Sequence, residues 1–248
     1  KCLNSNNFCY KDKEKLLYIF GDTQAHQHVE SIKNSKNSKL VYLSTKKQCL
    51  LSRKLKHNHP LFFLPSFDRI NSCSENFDNM INILKNSNKF QNNKIIYFSS
   101  WYNWYSKSRI IFNNQNQPIN NMTYYEILFD DLVSFVDSFS NRDDILFVFL
   151  LPLPRFNYSP NSCFLNPNLC KISYDNYNDQ INDLKNILIK ISHTSKNFKI
   201  IEPGNLFCDK NKNFCSMKDI SNDQDIVYRD LENISSSHII NFDFLFDN

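Results

Sequence analysis

The chain has 248 residues, 41% of them hydrophobic, which suits one large domain with an ample core. Its 29 Lys and Arg against 25 Asp and Glu leave a formal charge of +4. Spread along the chain, that excess is too weak for a nucleic-acid or acidic-membrane binder. The longest apolar run, Ile145 to Leu151, is far short of the ~20 residues that span a bilayer.

In chain order, a Cys2 to Cys9 loop precedes a first strand, Leu16 to Phe20, and a helix from about Gln24 to Lys33. The junction, Gly21-Asp22-Thr23, reads as a tight turn with Thr23 as helix cap, and Gly21 is one of only two glycines. Lys39 to Leu43 is a second strand, and residues 45 to 72 are polar and expected to be irregular. Helical spacing follows over Ser74 to Lys85 through Phe77, Met80, Ile81 and Leu84. Lys94 to Phe98 is a third strand, followed by an aromatic run, Trp101 to Tyr105. A helix from about Thr123 to Phe139, with Thr123 or Met122 near its cap, leads to Ile145 to Leu151, apolar on both faces like a central parallel strand. A helix near Asp175 to Ser192 and a fifth strand, Phe198 to Ile201, complete the alternation, and a last helix is expected around Ile234. Strands alternating with helices predict an α/β fold: a three-layer α/β/α sandwich on a five-stranded, mainly parallel sheet of flavodoxin-like order. No boundary signal divides residues 1–248, which read as a single domain.

Three of the cysteine pairs, Cys2 with Cys9, Cys163 with Cys170 and Cys208 with Cys215, share one spacing, and Cys49 with Cys73 is left as the fourth. The even count suggests these four disulfides in an oxidising compartment, although sequence leaves connectivity open. There is no C-x-x-C, and no His sits beside a Cys pair at zinc-ligand spacing, so no metal site is expected. N-x-S/T triplets at Asn121, Asn157 and Asn233 agree with a secretory route, as chance in an Asn-rich chain also does. The chain begins at Lys1 without a leader, and we expect a domain excised from a longer exported or membrane protein.

The tail reads Tyr228-Arg229-Asp230, then Asn233-Ile234-Ser235. With Gly21-Asp22-Thr23-Gln24-Ala25, Phe98-Ser99-Ser100-Trp101, and Ile201-Glu202-Pro203 before Cys208 and Cys215, it resembles, in order and over nearly the full length, the SGNH (GDSL-like) hydrolase domains. The match is to those that follow the membrane part of type 3 O-acyltransferases, whose motifs run G-D-S-H-A and Y-x-D-x-x-H-L-S. The resemblance implies the SGNH hydrolase fold, no cofactor, and an extracytoplasmic domain tethered to a transmembrane acyltransferase portion. It also implies acyl transfer or ester hydrolysis on an acyl-bearing glycan or lipid, with catalytic positions at Thr23, Asp230 and Asn233. Gly21, Asp22, Gln24 and Trp101 fall at oxyanion or pocket positions.

Acyl transfer of this kind needs a hydroxyl nucleophile, an imidazole to take its proton and an Asp to orient the imidazole. Here Thr23 stands at the Ser position and Asn233 at the His position, and none of the six histidines follows an Asp by three residues. The β-branch of Thr restricts χ1, and an amide has no nitrogen that titrates near neutral pH. The expectation is an impaired enzyme. One alternative is an active esterase in which His26 or His238 serves Thr23 as a displaced base. Another is a non-catalytic module that binds a glycan or partner through Tyr102, Trp104 or Tyr105. His57 and His59 read as surface residues.

Overall fold

The computed structural model describes residues 2–3, 8–9, 15–33, 38–45, 50, 52–57, 67–87, 93–100, 110–217 and 228. Five strands form the main sheet: β1 (Lys15–Gly21), β2 (Ser38–Thr45), β3 (Lys94–Ser99), β4 (Ile145–Leu150) and β5 (Phe198–Ile201). Every pairing is parallel and the order is β5-β4-β3-β1-β2, the flavodoxin-like arrangement that the alternation predicts. One row of partners, Tyr42, Tyr18, Ile96, Phe147 and Phe198, crosses all five strands. β3 and β4 are buried at every position, which accounts for their unbroken apolar sequences. On the edge strand β2 the register slips opposite Leu17 and Tyr18, and Val41 at the slip is 48% exposed.

The helices that flank the sheet are α1 (Thr23–His26), α2 (Val29–Lys33), α3 (Phe67–Asn86), α4 (Asn121–Asp137) and α5 (Tyr174–Thr194). α3, α4 and α5 join β2 to β3, β3 to β4 and β4 to β5, always moving the same way across the sheet. Right-handed crossovers therefore put all three on one face, and the oppositely directed β1 to β2 connection puts α1 and α2 on the other. Phenylalanines fill the first interface. Phe98 of β3 makes edge contacts with Phe135 of α4 at 6.2 Å and with Phe149 at 4.9 Å, and Phe77 of α3 meets Phe135 at 5.1 Å.

Element ends differ from the sequence expectation where polar residues decide them. α3 starts at Phe67, inside the stretch expected to be irregular. α4 is capped neither by Thr123 nor by Met122: Asn120 takes the position, its Oδ1 accepting from the Thr123 N–H at 2.9 Å. The expected helix from Gln24 to Lys33 is two pieces, because the His28 N–H bonds back three residues to the Ala25 carbonyl and breaks the ladder. The helix expected near Ile234 lies outside the described residues.

The two ends of the sheet are closed differently. At the amino end Asp144 accepts from Lys94 Nζ at 2.8 Å and from Arg142 Nε at 2.6 Å, while Arg142 Nη1 donates to the Leu84 carbonyl at the end of α3. At the carboxyl end, residues 171–172, 214–216 and 208–209 form a small antiparallel sheet held by the Cys163–Cys170 and Cys208–Cys215 disulfides. Cys2 stands opposite Cys9 in a two-residue ladder. Cys49, expected to join Cys73, is outside the described residues. Among the described residues no cysteine is free, and no helix is long and apolar enough to cross a membrane.

Candidate active site

In this strand order β1 and β3 are neighbours whose connections leave in opposite directions, so a crevice opens beyond their carboxyl ends, the usual ligand position in open α/β sheets. β1 ends there on Gly21 with φ +142°, and a Cβ at this residue would lie 1.9 Å from the Ser99 carbonyl oxygen. Only glycine lets the turn close on β3. The Asp22 N–H then donates to that Ser99 carbonyl at 3.3 Å.

Asp22 is the cap of α1, in place of the expected Thr23. Its backbone is extended, and its Oδ1 accepts from the Gln24 N–H at 2.8 Å. Its Oδ2 accepts from the Ser100 hydroxyl at 3.0 Å, and the Ser99 hydroxyl donates to the Leu150 carbonyl at 2.6 Å. The carboxyl ends of β1, β3 and β4 are thus bound into one frame through Asp22, Ser99 and Ser100, all buried. Because Asp22 does the capping, Thr23 is left as the first helical residue, half-buried at the lip of the crevice. The N–H groups of Asp22 and Gln24 are both engaged inside the turn.

Behind Thr23, Gln24 is buried. Its Oε1 accepts from Gln27 Nε2 at 2.9 Å, and its own Nε2 makes no hydrogen bond among the described residues. His26 is exposed. His28, with 1% of its surface exposed, has its imidazole pulled down to about 3 by burial, so it is neutral at physiological pH.

Asp230, Asn233, His238, Trp101 and the rest of the aromatic run lie outside the described residues, as does His59. Within the tail, Tyr228 is described and lies at the carboxyl side of the sheet. Its ring stands edge-on to Phe156, beyond β4, at 4.9 Å and to Phe207, beyond β5, at 5.3 Å. Next to this slot the Tyr177 hydroxyl donates to the Pro152 carbonyl at 3.2 Å, and Gly204 leaves room for it. Asn121, at the start of α4, and Asn157, beyond β4, are exposed. His57 is half-buried in a two-residue strand against Ile111 and Phe112.

The family model described as "SGNH domain (fused to AT3 domains)" matches residues 1–233. The chain belongs to this family. Among solved structures, the SGNH domain described here is similar to the periplasmic domain of the lipopolysaccharide acetyltransferase of Salmonella ser. Paratyphi A. That likeness has a TM-score of 0.57 at 14% identity, covering 97% of this chain and 84% of that one. At this identity it bears on the fold. No curated protein matches the chain.

Two features of the SGNH domain escape a sequence reading. Ser99 and Ser100 lie inside a recognised motif, yet their partners are fifty-one and seventy-eight residues away, so no local spacing reveals their role. His28 sits among three polar residues on a short helix pair, and nothing in the sequence marks it as the buried one.

Proposed function

We propose that this SGNH domain, a single unit over residues 1–248, is the extracytoplasmic part of an O-acyltransferase-type membrane protein. Its lineage moves or removes acyl groups, acetyl among them, on glycans or lipids, and its hydrolase site is impaired. The fusion of the family to AT3 domains supports a membrane acyltransferase portion elsewhere in the parent chain. The paired cysteines and the likeness to a periplasmic domain support a location outside the cytoplasm.

The observation that carries the site is the Gly21-Asp22 turn locked to Ser99 and Ser100, with Thr23 left out of the cap. Chain length supports the partnership with the tail. Tyr228 is held beyond β4 and β5. β1 is two strand spacings from β4 and three from β5, about 10 to 14 Å. Asn233, five residues past Tyr228, has a reach of up to about 17 Å, enough to meet Thr23, whereas Asp230 has a reach of only about 7 Å. That is the order an orienting carboxyl, a base and a nucleophile require. With an amide at the base position, no group takes the proton of the Thr23 hydroxyl, a loss of about 10²- to 10⁴-fold in rate. Gly21, Asp22, Gln24 and Trp101 shape the pocket, Asp22 by positioning the turn.

Hydrolysis of p-nitrophenyl acetate by the purified domain tests this. Wild type is expected at background, and Thr23→Ser with Asn233→His is expected to raise the rate about 100-fold or more. Wild-type turnover abolished by Thr23→Ala or Asp230→Ala would instead establish an active enzyme with a displaced base. A double variant as silent as wild type would remove the pocket from consideration and leave the binding-module reading.

A further inference from the structure

We propose that Tyr228 is a positioning residue: its ring, locked in a preformed aromatic slot, seats the segment that carries Asp230 and Asn233. The catalytic arm of this inference rests on the reading of those two residues given above; the seat itself does not.

Both walls of the slot are buried and tied to the body of the domain. Phe156 follows Arg155, whose N–H donates to Gln180 Oε1 at 2.9 Å and whose carbonyl accepts from Gln180 Nε2 at 3.0 Å, pinning this backbone to α5. Phe207 precedes the Cys208–Cys215 disulfide. Tyr228 enters eleven residues beyond Met217, with 3% of its surface exposed, and meets the two rings at 84° and 82°. Two edge-to-face contacts add to the burial of the ring. The hydroxyl does not share in this, for it is buried without a hydrogen bond among the described residues. The ring is therefore the anchor, and phenylalanine should serve as well.

Hydrogen exchange followed by mass spectrometry reads the seat directly. Tyr228→Ala is expected to speed exchange of the amides of 229–235 about tenfold or more while those of β1 and β3 stay as in wild type, and Tyr228→Phe to leave both sets unchanged. Phe207→Leu, a milder change, should loosen the same amides if Tyr228→Ala fails to fold. In the Thr23→Ser, Asn233→His background, Tyr228→Ala should lower kcat for p-nitrophenyl acetate with KM nearly constant, and Tyr228→Phe should restore it. Exchange at 229–235 that does not move, exchange that rises equally throughout the domain, or a Phe variant as damaging as Ala would each overturn the proposal. Local loosening in a background without turnover would uphold the seat and sink the inherited pocket.

Discussion

Gly21 and Gly204, the only glycines in the chain, both stand where a methyl group has no room. At Gly21 the obstacle is the backbone carbonyl of Ser99 and φ is +142°, so neither rotation nor a side-chain shift relieves it. Gly21→Ala should cost about 2 to 4 kcal/mol, combining a strained backbone with overpacking, and would register as a lowered midpoint in urea at unchanged m. Ser100→Ala should cost about 1 kcal/mol, since it removes the buried hydrogen bond from the Ser100 hydroxyl to the Asp22 carboxylate. His28 makes the acid limb of stability steep. Unfolded, its imidazole binds a proton near 6.5; folded, burial lowers that to about 3, so between these values only the unfolded chain is protonated. Stability then falls as pH falls, by about 1.4 kcal/mol per unit from this group. His28→Gln should flatten the slope of unfolding free energy against pH between about 6 and 4 by that amount, whatever its own cost at neutral pH. The turn was legible because a glycine in so glycine-poor a chain marks a steric need. Thr23 was misread as the cap because Asp and Thr side chains both cap, and adjacent candidates are separated only by backbone angles.

The strands were legible nearly to the residue, because a buried parallel strand is an unbroken apolar run and β3 and β4 are that over their whole length. Helix starts were less so. The first turn of α3, Phe67-Asp68-Arg69-Ile70, is polar enough to pass for the loop before it. The sequence also gives no hint that Lys94, Arg142 and Asp144 form a buried group, since charges ordinarily read as surface. That group joins the end of α3 to the starts of β3 and β4. Burial opposes ionisation of Asp144, but hydrogen bonds from Arg142 and Lys94 outweigh it and hold the carboxyl below its ordinary range. Asp144→Asn removes the carboxylate that pairs with both buried cations and should cost about 3 kcal/mol at pH 7. A depressed carboxyl stabilises the fold above the unfolded pKa and ceases to do so as pH falls through the folded one. The gap between wild type and Asp144→Asn in denaturant titrations should therefore hold above about pH 4 and close below it.

Taken whole, the molecule is polar along its strand axis: an ion cluster closes the amino end, and the carboxyl end carries the Gly21-Asp22 turn, the Tyr228 slot and the disulfide-held small sheet. The Cys163–Cys170 and Cys208–Cys215 disulfides serve that end. Cys215 faces both Ile172 and Cys208, and the Met217 N–H donates to the Cys170 carbonyl at 3.1 Å, so the two short loops share one backbone ladder. Each bridge closes a loop of eight residues, and the loop-closure relation gives about 2.5 kcal/mol apiece. Phe207 leads directly into Cys208, so loss of that bridge frees one wall of the Tyr228 slot, while the frame of Asp22, Ser99 and Ser100 contains no cysteine. Cys208→Ala with Cys215→Ala should lower stability by about 2 to 3 kcal/mol and speed exchange of the 203–217 amides. The amides of 21–25 and 94–100 should remain as protected as in wild type. Loss of protection at both places together would mean that the carboxyl end unfolds as one unit and that the frame depends on the stapled sheet.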